Sequence, residues 1–452
     1  MSSIFGSLSS TAASLAAQRR GLEIAGQNIA NVNTVGYSRR VMVLAERPPT
    51  VEGEAGRGVE VSQVHAVRDL FLEARLRVEQ QHLSRDGVVA DALSVLEAQL
   101  GTLGESLDGE VSAFFNAFAS LTEDPAALTL RDAAVRESER LAATFRAMAD
   151  RFAQSRQDAD AGVRATVDEI NRYAHDVATL NARIGDARGL DADALIDRRL
   201  VALRELSGLV DGVVTEADGV LTLTLATGQI LVSGDYVSEL TVADEPVTGM
   251  ARVLSGATDI TEDLTLGRLG GWLQARDTQI PVYQGLLDEM AYGVMSAVNA
   301  LHESGVDGQG DPGTALFVLP AAPAGAAAAM EVSAAVLADA RKIVAGAPGS
   351  TNAIARSIAA LRDEPVAGSA TLAEAWGQLV YRIGAESGAA ARVHEGRRQV
   401  IDQLQHLRDS TSGVSLDEEA ASLMKYQRAY EANARYFTMV NEILDVLMGM
   451  VR

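Results

Sequence analysis

The 452-residue chain contains no cysteine, which excludes a disulfide framework and a thiolate zinc site together. Aromatic residues make up 4% of a sequence that is 47% hydrophobic. Much of the apolar content is therefore small, and small side chains favour close helix packing over a thick mixed core. Positive charge is also in deficit: 39 Lys and Arg stand against 61 Asp and Glu, a formal charge of −22. Such a chain is repelled by a nucleic-acid backbone or an anionic membrane, so neither a nucleic-acid partner nor membrane insertion is expected. Nowhere does an apolar run reach the roughly 18 residues a membrane span needs, and residues 1–20 lack the basic start, apolar run and cleavage site of a signal peptide. If the protein leaves the cell, the expectation is export without cleavage.

Catalytic chemistry is missing as well. The six histidines, His65, His82, His175, His302, His394 and His406, form no His-Glu-x-x-His pair and no metal spacing, and they read as surface or packing residues. Residues 308–313, Gly-Gln-Gly-Asp-Pro-Gly, match the dinucleotide fingerprint by letter. They follow a helical pattern instead of a strand, and Pro312 falls inside the turn, so they read as a loop. Asp307 and Asp311 could open a calcium loop, but its sixth-position Gly and twelfth-position Glu are absent, and Leu316 and Leu319 stand where ligands are needed. No enzyme activity, cofactor or metal is expected.

What the chain does have is a heptad stripe at each end. Leu8, Leu15, Leu22 and Ile29 recur every seven residues near the start; Leu416, Leu423, Tyr430, Phe437, Leu444 and Val451 do so at the finish, with Leu447 on the same face. A stripe of that period seeks a partner helix, and the other terminus is the natural one. Both stripes are set off from the middle by breaks at 31–36 and 410–415, which favours an assembly seam over an internal core.

Between the ends the pattern is mostly helical. The first helix reads from about Ser3 to Ala30 and closes at residues 31–36, where Gly36 supplies the left-handed conformation and Arg39 and Arg40 follow at the carbonyl end. Residues 37–66, with Pro48, Pro49, Gly53, Gly56 and Gly58, read as an extended arm with room for short strands. Helical spacing runs from Val67 to about Gly208, broken near Gly101–Gly104, at Asp124-Pro125 and at Gly185–Gly189. The stretch from Leu128 to about Ile184 has no proline and reads as a strut. Period two appears at Leu221, Leu223 and Leu225, with Asp218-Gly219 as a hairpin turn and a return strand over Gln229–Val232. Helical spacing returns from Leu266 to Leu301, pauses over 305–329 and resumes to Asp409. Thr371/Glu374 and Ser415/Glu418 have the capping-box form. The expected fold is mainly α: paired terminal helices forming a coiled-coil stem (1–40 and 412–452), a long-helix body (41–208 and 264–411) and a small inserted β domain (209–263).

The run from Gln27 to Arg39, Gln-Asn-Ile-Ala-Asn-Val-Asn-Thr-Val-Gly-Tyr-Ser-Arg, closely resembles the N-terminal signature of the bacterial flagellar axial proteins, the rod, hook and hook-associated family. Its Gly36-Tyr37-Ser38-Arg39 ending is most like the hook-associated members. Residues 412–420 and 426–430 are similar to the C-terminal signature, and Phe114–Phe118, Pro125, Arg131, Leu195–Arg199 and Glu205–Ser207 agree with it. Val35 departs from the usual proline, which should loosen the turn, and the middle is too short for the outermost domain of larger members. The resemblance implies a structural subunit that joins hook to filament as a ring at the hook tip; another axial subunit, hook or distal rod, is the alternative. It implies as partners the chain itself, the hook protein, the next hook-associated junction protein and an export chaperone, with secretion through the flagellar type III apparatus. Asn28, Asn31, Asn33, Gly36, Tyr37 and Arg39 are its signature positions. Leu423, Phe437, Leu444 and Leu447 offer a chaperone an amphipathic face.

Overall fold

Helix α1 (Ser2–Ala30) and helix α11 (Leu416–Met450) pair along their lengths. In this computed structural model residues 2–48, 57–100, 107–187, 190–217 and 220–450 are described. The glycines at 53, 56, 101, 104 and 189, the Asp218-Gly219 turn and Val451 lie outside them. Gly21 sits against the ring of Tyr426, close enough that an added Cβ would stand 2.8 Å from it. Leu15 and Arg20 share a cleft with Tyr430, and Arg39, beyond the end of α1, meets Glu419. Numbers that fall along one helix rise along the other, so the pair is antiparallel.

The arm after α1 is a hairpin of β1 (Arg40–Glu46) and β2 (Val59–Ala66), in register from Arg40↔Ala66 to Glu46↔Val59 with a shift between Val43 and Leu44. It lies on α1, Gly58 at φ +83° passing over Ser10.

Two long helices form the spine of the body. In α2 (Leu70–Gln99) the Asp69 carboxylate caps the start, accepting from the Leu72 amide at 3.0 Å. In α10 (Leu372–Ser412) both arms of the Thr371/Glu374 box are made, at 3.2 and 3.0 Å. The two helices join through Leu72, Leu76, Ile401 and Leu404, and through Arg397 on α10 with Asp86 and Glu79 on α2.

The strut is real. Helix α3 (Leu107–Leu121) ends at the Asp124-Pro125 turn, and α4 (Leu128–Asp186) then runs 59 residues, about 90 Å at 1.5 Å per residue. Its first half buries Leu141, Phe145, Met148 and Phe152 in a core with Phe114, Phe115 and Phe118 of α3 and with α7 (Ile280–Glu303). Its second half buries Val163, Val167, Ile170 and Val177 in a separate core with α5 (Leu190–Leu209) and the inserted strands. One helix thus spans two cores.

Those strands form two antiparallel sheets, β3 (Gly212–Ala217), β4 (Val220–Leu225), β5 (Ile230–Ser233) and β6 (Tyr236–Val237), then β7 (Leu240–Asp244), β8 (Ala251–Ser255) and β9 (Thr258–Asp259). Leu221, Leu223 and Leu225 point into the core while Thr222 and Thr224 face out, as the period of two requires. Helix α6 (Gly267–Gln274) leads through a π turn (Ala275–Gln279) into α7, and the short helices α8 (Ala334–Ala338) and α9 (Ala353–Ala360) close the first core.

His302 on α7 is fully buried. Its Nε2 accepts from the Val344 amide at 2.9 Å and its Nδ1 lies on the Thr314 carbonyl, an arrangement that fits the neutral ring. Burial, with Arg131 nearby, pulls its pKa from 6.5 down to about 4. In the unfolded chain the ring takes up a proton near pH 6.5, so its stabilising contribution is complete above that value and is lost as pH falls toward 4. We expect a loss of about 2 kcal/mol from this group between pH 7 and pH 5. Urea unfolding at the two pH values should show a smaller difference for His302→Gln, which keeps a donor and an acceptor without titrating; an undiminished difference would refute the assignment.

Candidate assembly interface and its joint to the body

The seam between α1 and α11 is closed by small and polar residues as much as by leucines. Thr11, Ala17, Gly21, Ile24, Ala25 and Asn28 are buried on α1, and Glu419 and Val440 on α11. Leu8, Leu15, Leu22 and Ile29 are half-buried, as are Leu423, Phe437 and Leu444, while Leu416, Tyr430 and Leu447 are exposed. The stripes are thus partly covered within the chain, Leu15 and Tyr430 meeting in one cleft. Toward the end of α11, Met439, Ile443, Val446, Leu447, Met448 and Met450 are each more than 40% exposed, an apolar surface that one chain leaves uncovered.

Charge is distributed to match. Residues 1–40 hold four arginines and one glutamate, and residues 412–452 hold four basic and six acidic side chains, so the two ends sum to +1. The whole acid excess lies in the middle of the chain. Copies can meet through the ends without the repulsion their bodies would impose.

At the base of the stem the chain turns through residues 31–36, closed by hydrogen bonds from Thr34 N to Asn31 O at 2.9 Å and from Tyr37 N to Thr34 O at 3.1 Å. Gly36 has φ +79°, and a Cβ there would overlap Val201 of α5. Asn31 donates to the Gln27 carbonyl and accepts from Thr34. Asn33 and Val35 face solvent. Asn28 is the hub of the turn: its side chain grips both backbone groups of Arg40, at 3.0 and 2.9 Å, and accepts from the Tyr37 hydroxyl at 2.9 Å. Burial, partly offset by Arg40, raises the Tyr37 pKa and keeps that hydroxyl a donor.

Two expectations about charged residues fail here. Arg39 and Arg40 do not serve the carbonyl end of α1. Arg39 reaches Glu419 at 2.7 Å and Glu418 at 2.9 Å, and Arg40 reaches Asp197 at 2.7 Å. The Ser415/Glu418 box is half made for the same reason: Ser415 Oγ accepts from the Glu418 amide at 3.5 Å, but the Glu418 carboxylate serves Arg39. A full guanidinium outbids a backbone amide for a carboxylate.

Five charged residues to which no motif assigns a role, Asp193, Asp197, Arg68, Glu73 and Arg408, tie the stem base and the body helices together. Arg68 binds Asp193 at 2.9 Å and Asp197 through two nitrogens at 3.1 and 2.9 Å. Glu73 of α2 takes Arg204 of α5 at 3.0 Å and Arg408 of α10 at 2.9 Å. The available signal was the i, i+4 spacing of Asp193 and Asp197 on one helix face.

At the two aspartates that could open a calcium loop, Lys342 lies 2.8 Å from Asp307 and 3.0 Å from Asp311. The chain's own cation fills that place. Among the described residues no group of side chains is arranged to hold a metal, and no helix is long and apolar enough to cross a membrane.

The terminal helices and the helical body between them match models of flagellar axial proteins. Residues 93–317 match the family model of the flagellar hook-associated protein FlgK helical domain. Residues 11–37 match the flagella basal body rod protein model, and 408–450 the flagellar basal body rod FlgEFG protein C-terminal model. Flagellar hook-associated protein 1 of Escherichia coli is 27% identical over 96% of this chain and 98% of its own length. That of Bacillus subtilis is 26% identical over 100% and 99%, and that of Salmonella typhimurium 26% over 96% and 98%. The flagellar hook junction protein FlgK of Burkholderia pseudomallei shares the fold, with TM-score 0.69 over 75% of this chain and all of that structure at 16% identity. The chain belongs to the flagellar hook-associated protein 1 family and is a structural component of the flagellar axis.

Proposed function

We propose that this protein joins hook to filament by assembling as a ring at the distal end of the hook. Residues 1–40 and 412–452 form the stem that packs into an inner tube, 41–208 with 264–411 form the surrounding shell, and 209–263 face outward. The observation that carries this reading is the uncovered apolar surface of α11 on a stem whose charges balance. Each leucine-sized side chain buried there by a neighbour contributes roughly 1.5–3 kcal/mol, which many copies in a ring would each gain.

Its partners are then further copies of the chain, the hook protein below and the next hook-associated junction protein above. Before assembly an export chaperone covers Leu423, Phe437, Leu444 and Leu447, and the subunit is secreted uncleaved. The rod-protein models match only the two ends, while the hook-associated model matches 93–317. That middle favours a hook-associated subunit over a hook or distal rod one.

A strain lacking the protein should make hooks without filaments and release monomeric flagellin into the medium, as seen by electron microscopy and by assay of the supernatant. Full-length filaments in that strain would overturn the reading.

A further inference from the structure

With the β1–β2 hairpin, which lies on α1, counted with the stem, three stretches of chain cross between stem and body: residues 36–40, residues 66–70 and residues 412–416. The first binds the two parts by turns. Gly36 lies on Val201 of the body, Tyr37 on Asn28 of the stem, Ser38 on Asp197 of the body, Arg39 on Glu418 and Glu419 of the stem, and the Arg40 side chain on Asp197 again. Such alternation is what an extended segment offers.

Asp197 collects the crossings. Asp197 is buried, its side chain 9% exposed, and its carboxylate accepts from Ser38 N at 3.3 Å, Ser38 Oγ at 3.0 Å and Arg40 Nη2 at 2.7 Å in the first crossing. From the second it accepts Arg68 Nε at 3.1 Å and Nη2 at 2.9 Å. The third is tied to the first, since Arg39 N donates to Ser412 O at 2.9 Å. Beside these contacts a cleft of about 560 Å³ opens between residues 31–37 of the turn and 191–201 of α5. Beside that cleft the turn meets α5 through these polar contacts and through Gly36 against Val201.

We propose that Asp197 is a positioning residue, the body-side anchor that sets the direction of the stem relative to the body. Removing its charge leaves the guanidiniums of Arg40 and Arg68 short of a counter-ion in a buried place, which is costly. Swinging the base of the hairpin toward water relieves that cost without unfolding either core. A ring needs every stem to point the same way, so this anchor pre-orients the subunit for assembly. The inference concerns the single chain and does not depend on the ring.

The absence of native cysteine makes the test direct. Spin labels on introduced cysteines would report three distances in the full chain: Ala12 to Asn441 within the stem, Ala165 to Glu205 within the body, and Ala12 to Glu205 between them. In Asp197→Asn the stem-to-body distribution should broaden about twofold, because a joint freed of its buried ion pairs samples more orientations. The two internal distributions and the melting of the body should not change, and Asp197→Glu should recover part of the width. Ser38→Ala, which removes one donor and leaves every charge paired, should give an intermediate width. An unchanged stem-to-body width in both Asp197→Asn and Ser38→Ala would overturn the proposal. Parallel broadening of all three distances would do so too, since Asp197 would then hold the fold as a whole.

Discussion

Gly36→Val is expected to abolish incorporation at the hook tip while leaving the subunit secreted. The position has φ +79°, where a side chain costs roughly 1–2 kcal/mol and a β-branched one more. A second cost is local: the new Cβ overlaps Val201, so the turn must lift away from α5. Lifting Gly36 pulls on Ser38 and Arg40, which hold the same helix through Asp197. The cores around Phe114 and around Leu221 make no use of this turn, so the body keeps its melting temperature. Motility in soft agar should be lost and the protein should accumulate in the culture medium. Gly36→Ala combined with Val201→Ala removes most of the overlap and should recover part of the motility, because contacting sites couple. Normal swimming by Gly36→Val would refute the argument.

The features legible in sequence are the ones written in local pattern. The proline-free run from Leu128 fixes α4 because helical spacing needs no distant partner to be read, and the Thr371/Glu374 box closes on itself within one turn. Leu221, Leu223 and Leu225 betray their sheet in the same way. The seam was harder. Hydropathy marks leucines, but α1 comes close to α11 at Gly21 against Tyr426, and Thr11 of α1 and Glu419 of α11 are buried. A glycine that lets helices touch and a glutamate whose charge is answered by an arginine carry no apolar signal. Asp197 was beyond reach for a plainer reason: Arg40 lies 157 residues away and Arg68 129. Long-range ion pairs also explain the half-made cap at Ser415, since nothing near Glu418 in sequence announces Arg39.

Leu444→Asp is expected to stop filament growth and to weaken capture by the export chaperone, with the body unaffected. Leu444 is half-buried on α11 beside Phe437 and Val440, next to the exposed Ile443 and Leu447. Losing its burial costs roughly 1.5–3 kcal/mol at each copy's contact, and a carboxylate placed in an apolar seam adds a desolvation cost of several kcal/mol. Neither cost falls on the two body cores, which contain no residue of α11. The stem does feel it. Most of the Leu444 surface is already covered within the chain, so α11 should fray from α1 beyond Tyr430 while the Arg39 pairs with Glu418 and Glu419 hold its start. Calorimetry of the body, chaperone pull-down and motility together separate the possibilities. Loss of motility and of capture with an unchanged body transition places this stripe at an interface. A mutant that swims normally, or one whose body unfolds with the substitution, shows instead that the stripe serves the chain's own interior.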